Sequence, residues 1–129
     1  MHRGFLITAT LLGALSVALG AFAAHGLRQL VTPETAATFE TGVRYQFYHT
    51  FALFIVGILY EKLPVSLLRW AGKCFLAGIL LFSGSLYLLT AMKATDMVGL
   101  TGIGLITPFG GLFFIAGWTL LMVAFIKKL

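Results

Sequence analysis

Four long apolar runs, separated by short polar segments, make up most of this chain. They cover about residues 4–24, 43–60, 74–92 and 102–126. Each run is close to the ~20 residues that a helix needs to cross the ~30 Å hydrocarbon core of a bilayer. We therefore predict an all-α integral membrane protein, a four-helix bundle that forms a single transmembrane domain over residues 1–129. The predicted helices cover about residues 4–24, 33–61, 72–92 and 100–127.

The first run has a second interpretation, as a secretory signal peptide. Arg3 gives it a short positive start, and residues 21–23 have the A-x-A form of a cleavage site. The apolar stretch is longer than the roughly 7–15 residues of a signal sequence. This length favours a retained first helix, and cleavage is the alternative.

The segment before the second run predicts a helical extension at the membrane interface. Thr32 suits an N-cap, and Pro33 suits the first helical position. Glu40 and Arg44 are four residues apart with the acid first, the better orientation for a helical ion pair. We expect one long helix from Pro33 that enters the bilayer near Val43, with the Glu40–Arg44 pair at the outer interface.

Composition agrees with a chain that lies mostly in lipid. Hydrophobic residues make up 60% and charged residues 10%, against about 45–50% and 25% in soluble domains. The mean hydropathy is +1.01. The net charge of +5 could suit nucleic acid, but the basic residues are scattered and form no patch. The expected partner is the lipid bilayer, with no nucleic acid.

The distribution of Lys and Arg predicts the orientation. With four crossings, the N-terminus, the second loop and the C-terminus share one side of the membrane. That side carries six basic residues: Arg3, Lys62, Arg69, Lys73, Lys127 and Lys128. The other side carries three: Arg28, Arg44 and Lys93. Because cytoplasmic loops are enriched in Lys and Arg, we expect both termini in the cytoplasm.

Small residues recur at helical spacing in the apolar runs and predict close helix packing. In the third and fourth runs the spacing is seven residues, which favours near-parallel packing of the four-helix type. The glycines expected in these contacts are Gly13, Gly20, Gly84, Gly110 and Gly117. Small-residue faces that the four helices cannot bury against one another could form the contacts of a homo-oligomer. Pro108, inside the fourth run, is expected to kink that helix.

Signatures of catalysis and metal binding are missing from the sequence. There is no P-loop, GxSxG, HExxH or CxxC, and no pair of carboxylates within an apolar run. The lone Cys74 and the three scattered histidines lack the spacing of a metal site. We expect no enzyme activity, no cofactor and no metal, and the sequence does not indicate which small-molecule ligand, if any, binds.

Polar side chains inside the apolar runs collect at one depth. At ~1.5 Å of rise per residue, Tyr45, His49, Tyr87 and Thr107 fall in the outer half of the bilayer, with His25 at its outer edge. Such residues are costly in lipid and mark candidate sites. Two interpretations stay open: an outward-facing polar pocket, with Tyr87 as a partner of His49, or a structural clasp between helices.

Four strings along the chain are similar to those of a known family. They are GAFAAHGL from Gly20, YQFYH from Tyr45, FSGSLYLL from Phe82 and ITPFGG with a later GW from Ile106. In this order they resemble the YgdD/YwdK-type family of small bacterial inner-membrane proteins, which has an animal transmembrane counterpart. One departure is Ala23, where the family usually has glycine.

The resemblance implies a four-helix membrane protein of no known activity. The family pattern matches Gly20, His25, Gly26, Tyr45, Gln46, His49, Gly84, Ser85, Tyr87, Thr107, Pro108, Gly110, Gly111, Gly117 and Trp118. Our main hypothesis is a non-enzymatic protein acting in assembly or by binding lipid or partner proteins. The alternatives are a small transporter or channel that uses His49 and Tyr87, and a membrane enzyme or cofactor-binding subunit.

Overall fold

The computed structural model describes residues 1–96 and 101–128, and within these ranges all regular structure is helical. Short 3-10 turns cover Leu27–Gln29 and Thr101–Leu105, and a π-helical turn over Ile79–Ser83 joins α3 to α4. The predicted all-α class is confirmed for the described part of the chain. The α-helices are α1 (Arg3–Ala24), α2 (Pro33–Leu59), α3 (Val65–Gly78), α4 (Gly84–Ala94) and α5 (Ile106–Lys128).

Among the residues that the structure describes, three helical stretches are long and apolar enough to cross a membrane. They are Arg3–Gln29, Val65–Ala94 and Gly102–Lys128. The middle stretch begins at Val65, before the start near residue 72 that the sequence predicts. Arg69 and Lys73 interrupt the apolar run but not the helix, because both residues are good helix formers.

Helix α2 runs alongside α1 in the opposite direction and occupies the middle of the bundle. Its last turn meets the start of α1, where the His2 amide donates to the Gly57 carbonyl at 2.8 Å. Near its other end, Val43 packs beside Gly20. The Thr32 hydroxyl accepts from the Thr35 amide at 3.3 Å, which confirms the predicted N-cap.

The bundle contains two apolar clusters with a polar layer between them. On α2 the smaller cluster includes Ala36 and Phe39, and the larger one includes Leu53 and Val56. The larger cluster draws on α1, α2, α3 and α5, including Phe5, Leu68, Phe75, Phe114 and Leu121. The buried polar side chains between the clusters are Ser16, Gln46, His49, Thr50 and Ser83.

Aromatic rings pack over glycines where the helices approach most closely. A Cβ atom on Gly117 would lie 2.7 Å from the Phe75 ring, and one on Gly110 would lie 2.7 Å from the Phe82 Cα. Similarly, Gly72 faces the Phe5 ring and Gly78 faces the Phe114 ring. Gly13 and Gly20 are looser, with α2 side chains 3.7 and 3.6 Å from the built Cβ atoms.

Gly84 does not form the helix contact that the sequence predicts. Nothing lies within 4 Å of a Cβ atom built at this position. The seven-residue spacing from Ala77 does not carry through, because the π-helical turn at Ile79–Ser83 lies between the two residues. A π turn holds more residues than an α turn, and Gly84 is therefore rotated away from the packed face.

Pro108 lies in the first turn of α5, directly after the 3-10 turn at Thr101–Leu105. The backbone thus changes from 3-10 to α-helical geometry two residues before Pro108, and the kink itself stays a prediction. Proline is tolerated in the first turn of an α-helix, where its missing N–H interrupts few hydrogen bonds. Pro108 accordingly marks the start of the α-helix, and the 3-10 geometry precedes it.

We expect Gly110→Ala to destabilise the protein in detergent by about 1–3 kcal/mol, the usual cost of overpacking. The new methyl group would meet the Phe82 backbone, which cannot rotate aside. Gly84→Ala is the matched control and should retain wild-type stability or exceed it, because alanine favours the helix. Thermal unfolding of both variants measures the difference, and equal midpoints for the two would contradict the assignment.

Candidate functional site

The carboxamide of Gln46 lies at the centre of the polar layer, with 2% of the residue exposed. Its Nε2 donates to Ser16 Oγ at 2.9 Å and to the Leu12 carbonyl at 3.2 Å. Its Oε1 accepts from the Tyr87 hydroxyl at 2.7 Å. One side chain of α2 thereby binds both α1 and α4, and both of its donor hydrogens have acceptors.

His49 connects the opposite side of α2 to α5. Its Nδ1 lies 2.6 Å from the Tyr45 carbonyl, and Trp118 Nε1 donates to its Nε2 at 3.1 Å. The imidazole stacks on the Phe114 ring, with centroids 3.5 Å apart and planes 7° apart. Because the indole N–H is only a donor, Nε2 must accept, and the geometry assigns the ring proton to Nδ1.

Serine and threonine hydroxyls complete the layer around the π-helical turn. Ser83, the last residue of that turn, donates to the Gly42 carbonyl at 2.6 Å. Ser85 Oγ lies 2.6 Å from Thr107 Oγ1, which ties α4 to α5. Among the described residues, no buried side-chain nitrogen or oxygen lacks a hydrogen-bond partner.

The five residues of the predicted pocket are distributed over separate contacts. Tyr45 and His49 lie together, and the Tyr45 ring also packs on Phe82 with centroids 4.6 Å apart. Within the described residues, Tyr87 bonds to Gln46 and not to His49, so the expected His49–Tyr87 contact was wrong.

Two members of the predicted pocket have hydrogen-bond partners other than His49. Thr107 pairs with Ser85. His25 is exposed, and its Nδ1 lies 3.1 Å from the Ala21 carbonyl of its own helix. The outward-facing pocket itself stays a prediction.

Three residues that organise this layer were missing from the predicted set. Gln46 and Trp118 occur in the strings that carry the family resemblance, and Ser16 lies on the small-residue face of α1. The available signal was the cost of burying a carboxamide in an apolar helix, which demands partners on its neighbours. Their identity depends on which helices pack together.

The predicted ion pair at the outer interface has a different partner. Glu40 Oε1 lies 3.3 Å from Arg28 Nη2, and Arg44 forms no ion pair among the described residues. The 3-10 turn at Leu27–Gln29 carries Arg28 back against α2, which spacing within one helix cannot reveal. Since the two side chains are 65% and 34% exposed, the pair contributes at most about 1 kcal/mol.

A groove runs along the exposed side between α1 and α2, and its parts near Phe54 and near Arg44 are called the inner and the outer part. Its inner part, of about 330 Å³, is lined by Ala9, Thr10, Gly13, Ala14, Val17, Phe47, Thr50, Phe51 and Phe54. Its outer part, of about 440 Å³, includes Gly20, Glu40, Arg44 and Tyr48. Val17 and Phe47 line both parts, so the groove is continuous from Phe54 to Arg44.

Comparison with known proteins identifies the family. The family model described as "Protein of unknown function (DUF423)" matches residues 19–111. The chain belongs to the DUF423 family. It is 40% identical to the UPF0382 membrane protein YwdK of Bacillus subtilis (strain 168) over 126 residues, which cover 97% of this chain and 98% of the relative.

Other DUF423 relatives agree over nearly the whole chain. UPF0382 membrane protein SAB0533 of Staphylococcus aureus (strain bovine RF122 / ET3-1) is 37% identical, covering 95% of each chain. A UPF0382 membrane protein of Haemophilus influenzae (strain ATCC 51907 / DSM 11121 / KW20 / Rd) is 39% identical, covering 92% of this chain and 90% of its own. No solved structure matches.

The DUF423 membership and the apolar helices establish a small multi-pass bacterial membrane protein. The names of the relatives state membrane location and assign no enzymatic or transport role. The biochemical function must therefore be argued from the geometry of this chain.

Tyr87→Phe should lower the unfolding free energy by about 0.6–1.7 kcal/mol, the range for hydrogen bonds between membrane helices. The substitution removes the hydroxyl that donates to Gln46. Tyr48→Phe is the matched control, because Tyr48 is 52% exposed and its hydroxyl has no partner among the described residues. Reversible unfolding in mixed micelles measures both, and an equal loss in the two variants would contradict the assigned contact.

Nitrogen-15 NMR of the histidine rings should find His49 as the Nδ1–H tautomer at alkaline pH. His2 is an internal control with the opposite assignment, because its Nδ1 accepts from the Phe5 amide at 3.0 Å and its proton must lie on Nε2. Trp118→Phe removes the indole donor and should shift the His49 Nε2 resonance without changing the tautomer, because the Tyr45 carbonyl still accepts from Nδ1. An Nε2–H tautomer in the wild type would be incompatible with the Trp118 bond.

Proposed function

We propose that this DUF423 protein is non-enzymatic and acts by binding a lipid or a partner protein within the membrane. The observation that carries the proposal is the contrast between its two kinds of surface. The polar side chains between the helices are engaged with one another, whereas the groove between α1 and α2 is open on the exposed side.

The polar layer is best explained as a structural clasp. A catalytic group needs a nucleophile or base whose reactive atom can meet a substrate. Gln46 uses both of its amide hydrogens and its oxygen within the bundle. The His49 ring is held between Phe114, Trp118 and the Tyr45 carbonyl. These contacts favour helix association over chemistry.

The transporter or channel alternative has less support. It requires His49 to exchange protons with water along a polar path, and both ring nitrogens are occupied by contacts inside the bundle. Measurement of proton flux in proteoliposomes tests it directly. Flux that depends on His49 would replace the binding proposal.

We also propose four crossings, with α2 as the fourth spanning helix. The helix is 27 residues long, or about 40 Å at 1.5 Å per residue. It follows α1 from Gly20 at one end to the start of α1 at the other. Four crossings place both termini on the side with six Lys and Arg, the cytoplasm.

A green fluorescent protein fused after Leu129 should fluoresce in bacterial cells, because this reporter folds in the cytoplasm. Alkaline phosphatase at the same position should be inactive. The matched fusions at Asp96, in the loop after α4, should show the reverse pattern. Phosphatase activity at the C-terminus together with fluorescence at Asp96 would refute the orientation.

Photo-crosslinking tests whether the groove binds anything. Phe51 lines the groove and is 57% exposed, so a photoreactive benzoylphenylalanine there faces any occupant. The same residue at Leu88, which is 51% exposed on α4, is the control for loosely associated lipid. After detergent purification and irradiation, we expect a lipid adduct or a partner band from position 51 and much less from position 88. The absence of any adduct from position 51 would refute binding in the groove.

A further inference from the structure

We propose that the groove between α1 and α2 binds one anionic phospholipid of the outer leaflet. Its acyl chain would lie in the inner part of the groove and its headgroup phosphate against Arg44. This inference rests on the proposed binding function and names the class of ligand. It depends on the length of the groove, the charge at its outer end and the chemistry of its inner part.

The length of the groove matches one leaflet. Glu40 lines its outer end and Phe54 its inner end on α2, and Arg44 lies one turn inside Glu40. The fourteen residues between these levels rise about 21 Å, which is about half of the ~40–45 Å thickness of a bilayer with its headgroups. A lipid of one leaflet fills that distance, with its headgroup at the end that carries Arg44.

The charge at the outer end favours an anion. Glu40 also lines this end, but Arg28 neutralises it through their ion pair. Arg44 is exposed and holds no ion pair among the described residues, so the end carries a net positive charge. Its planar guanidinium suits bidentate binding of a phosphate, and Tyr48 adds a hydroxyl at the same level.

The lining of the inner part of the groove suits a hydrocarbon chain. Its two hydroxyl groups, on Thr10 and Thr50, donate to backbone carbonyls of their own helices at 2.8 and 2.7 Å. The rest of the lining is alanine, glycine, valine and phenylalanine. An acyl chain here would leave no polar side chain without a hydrogen-bond partner. Its binding therefore avoids the usual cost of burying polar groups.

Gly13 allows the groove to be filled without disturbing the bundle. A Cβ atom at this position would lie 3.7 Å from Thr50 Cγ2, which is ordinary van der Waals contact. Gly13→Leu therefore places its side chain in the space proposed for the acyl chain. Gly84→Leu is the matched control, since nothing lies within 4 Å of a Cβ atom there.

The experiment is native mass spectrometry of the detergent-purified protein with added phosphatidylglycerol or phosphatidylethanolamine. We expect phosphatidylglycerol to bind the wild type more tightly. Arg44→Gln should weaken that binding about fivefold, as for loss of one exposed ionic contact, while Lys93→Gln, which removes an outer charge elsewhere, should not. Gly13→Leu should weaken the binding of both lipids about tenfold. Gly84→Leu should weaken the binding of neither.

Val17→Phe is a second filling variant, because Val17 lies where the two parts of the groove meet and is 64% exposed. Equal binding of the two lipids, or no effect of either filling variant in folded protein, would overturn the proposal. If the protein instead forms a dimer that Gly13→Leu dissociates, with no lipid adduct, the lipid proposal is refuted and the proposed binding function stands. No adduct of any kind, together with no photo-crosslink from position 51, would refute both.

Discussion

The buried carboxamide of Gln46 is the constraint on which the arrangement of the helices depends. Hydrocarbon offers no water to satisfy a polar group, so each donor and acceptor must find a partner within the protein. Gln46 finds three, in Leu12, Ser16 and Tyr87. These contacts fix the rotation of α2 relative to α1 and α4. With that rotation set, His49 points in the other direction, toward Phe114 and Trp118 of α5.

This inward orientation of the polar groups determines what remains on the outside. Ser16 bonds to the Gln46 carboxamide and Thr50 to the Gln46 carbonyl of its own helix, and the other residues that line the inner part of the groove are mostly small or aromatic. Small residues on α1 next to phenylalanines on α2 leave a groove between the two helices instead of a flat face. The clasp and the groove are thus two sides of the same pair of helices.

Features that depend on one stretch of chain were predictable from the sequence. The apolar runs located the helices, and Thr32 and Pro33 located the start of α2, because an N-cap acts within a single turn. The depth argument grouped His49 with other polar residues, but it could not identify its partner. Depth is a coordinate along the membrane normal and carries no information about which neighbour a side chain faces.

Features that depend on a change of helical geometry or on chain reversal were not predictable. Gly84 failed as a contact because one π-helical turn shifts the register between Ala77 and Gly84. Glu40 found Arg28 and not Arg44 because a 3-10 turn returns the chain toward α2. In both cases the local pattern assumed an uninterrupted α-helix. The π-helical turn in one case and the 3-10 turn in the other changed which residues are in contact.

The rings that pack over glycines have a consequence for how this chain can vary in length. Adding or deleting one residue within a helix moves everything beyond it by 1.5 Å and turns it by about 100°. Such a change between Gly78 and Phe75, or between Phe114 and Gly117, would separate a ring from its glycine at one crossing while the other stayed in place. The helices therefore tolerate exchange of side chains far better than insertions or deletions, and changes of length are confined to the connections between them.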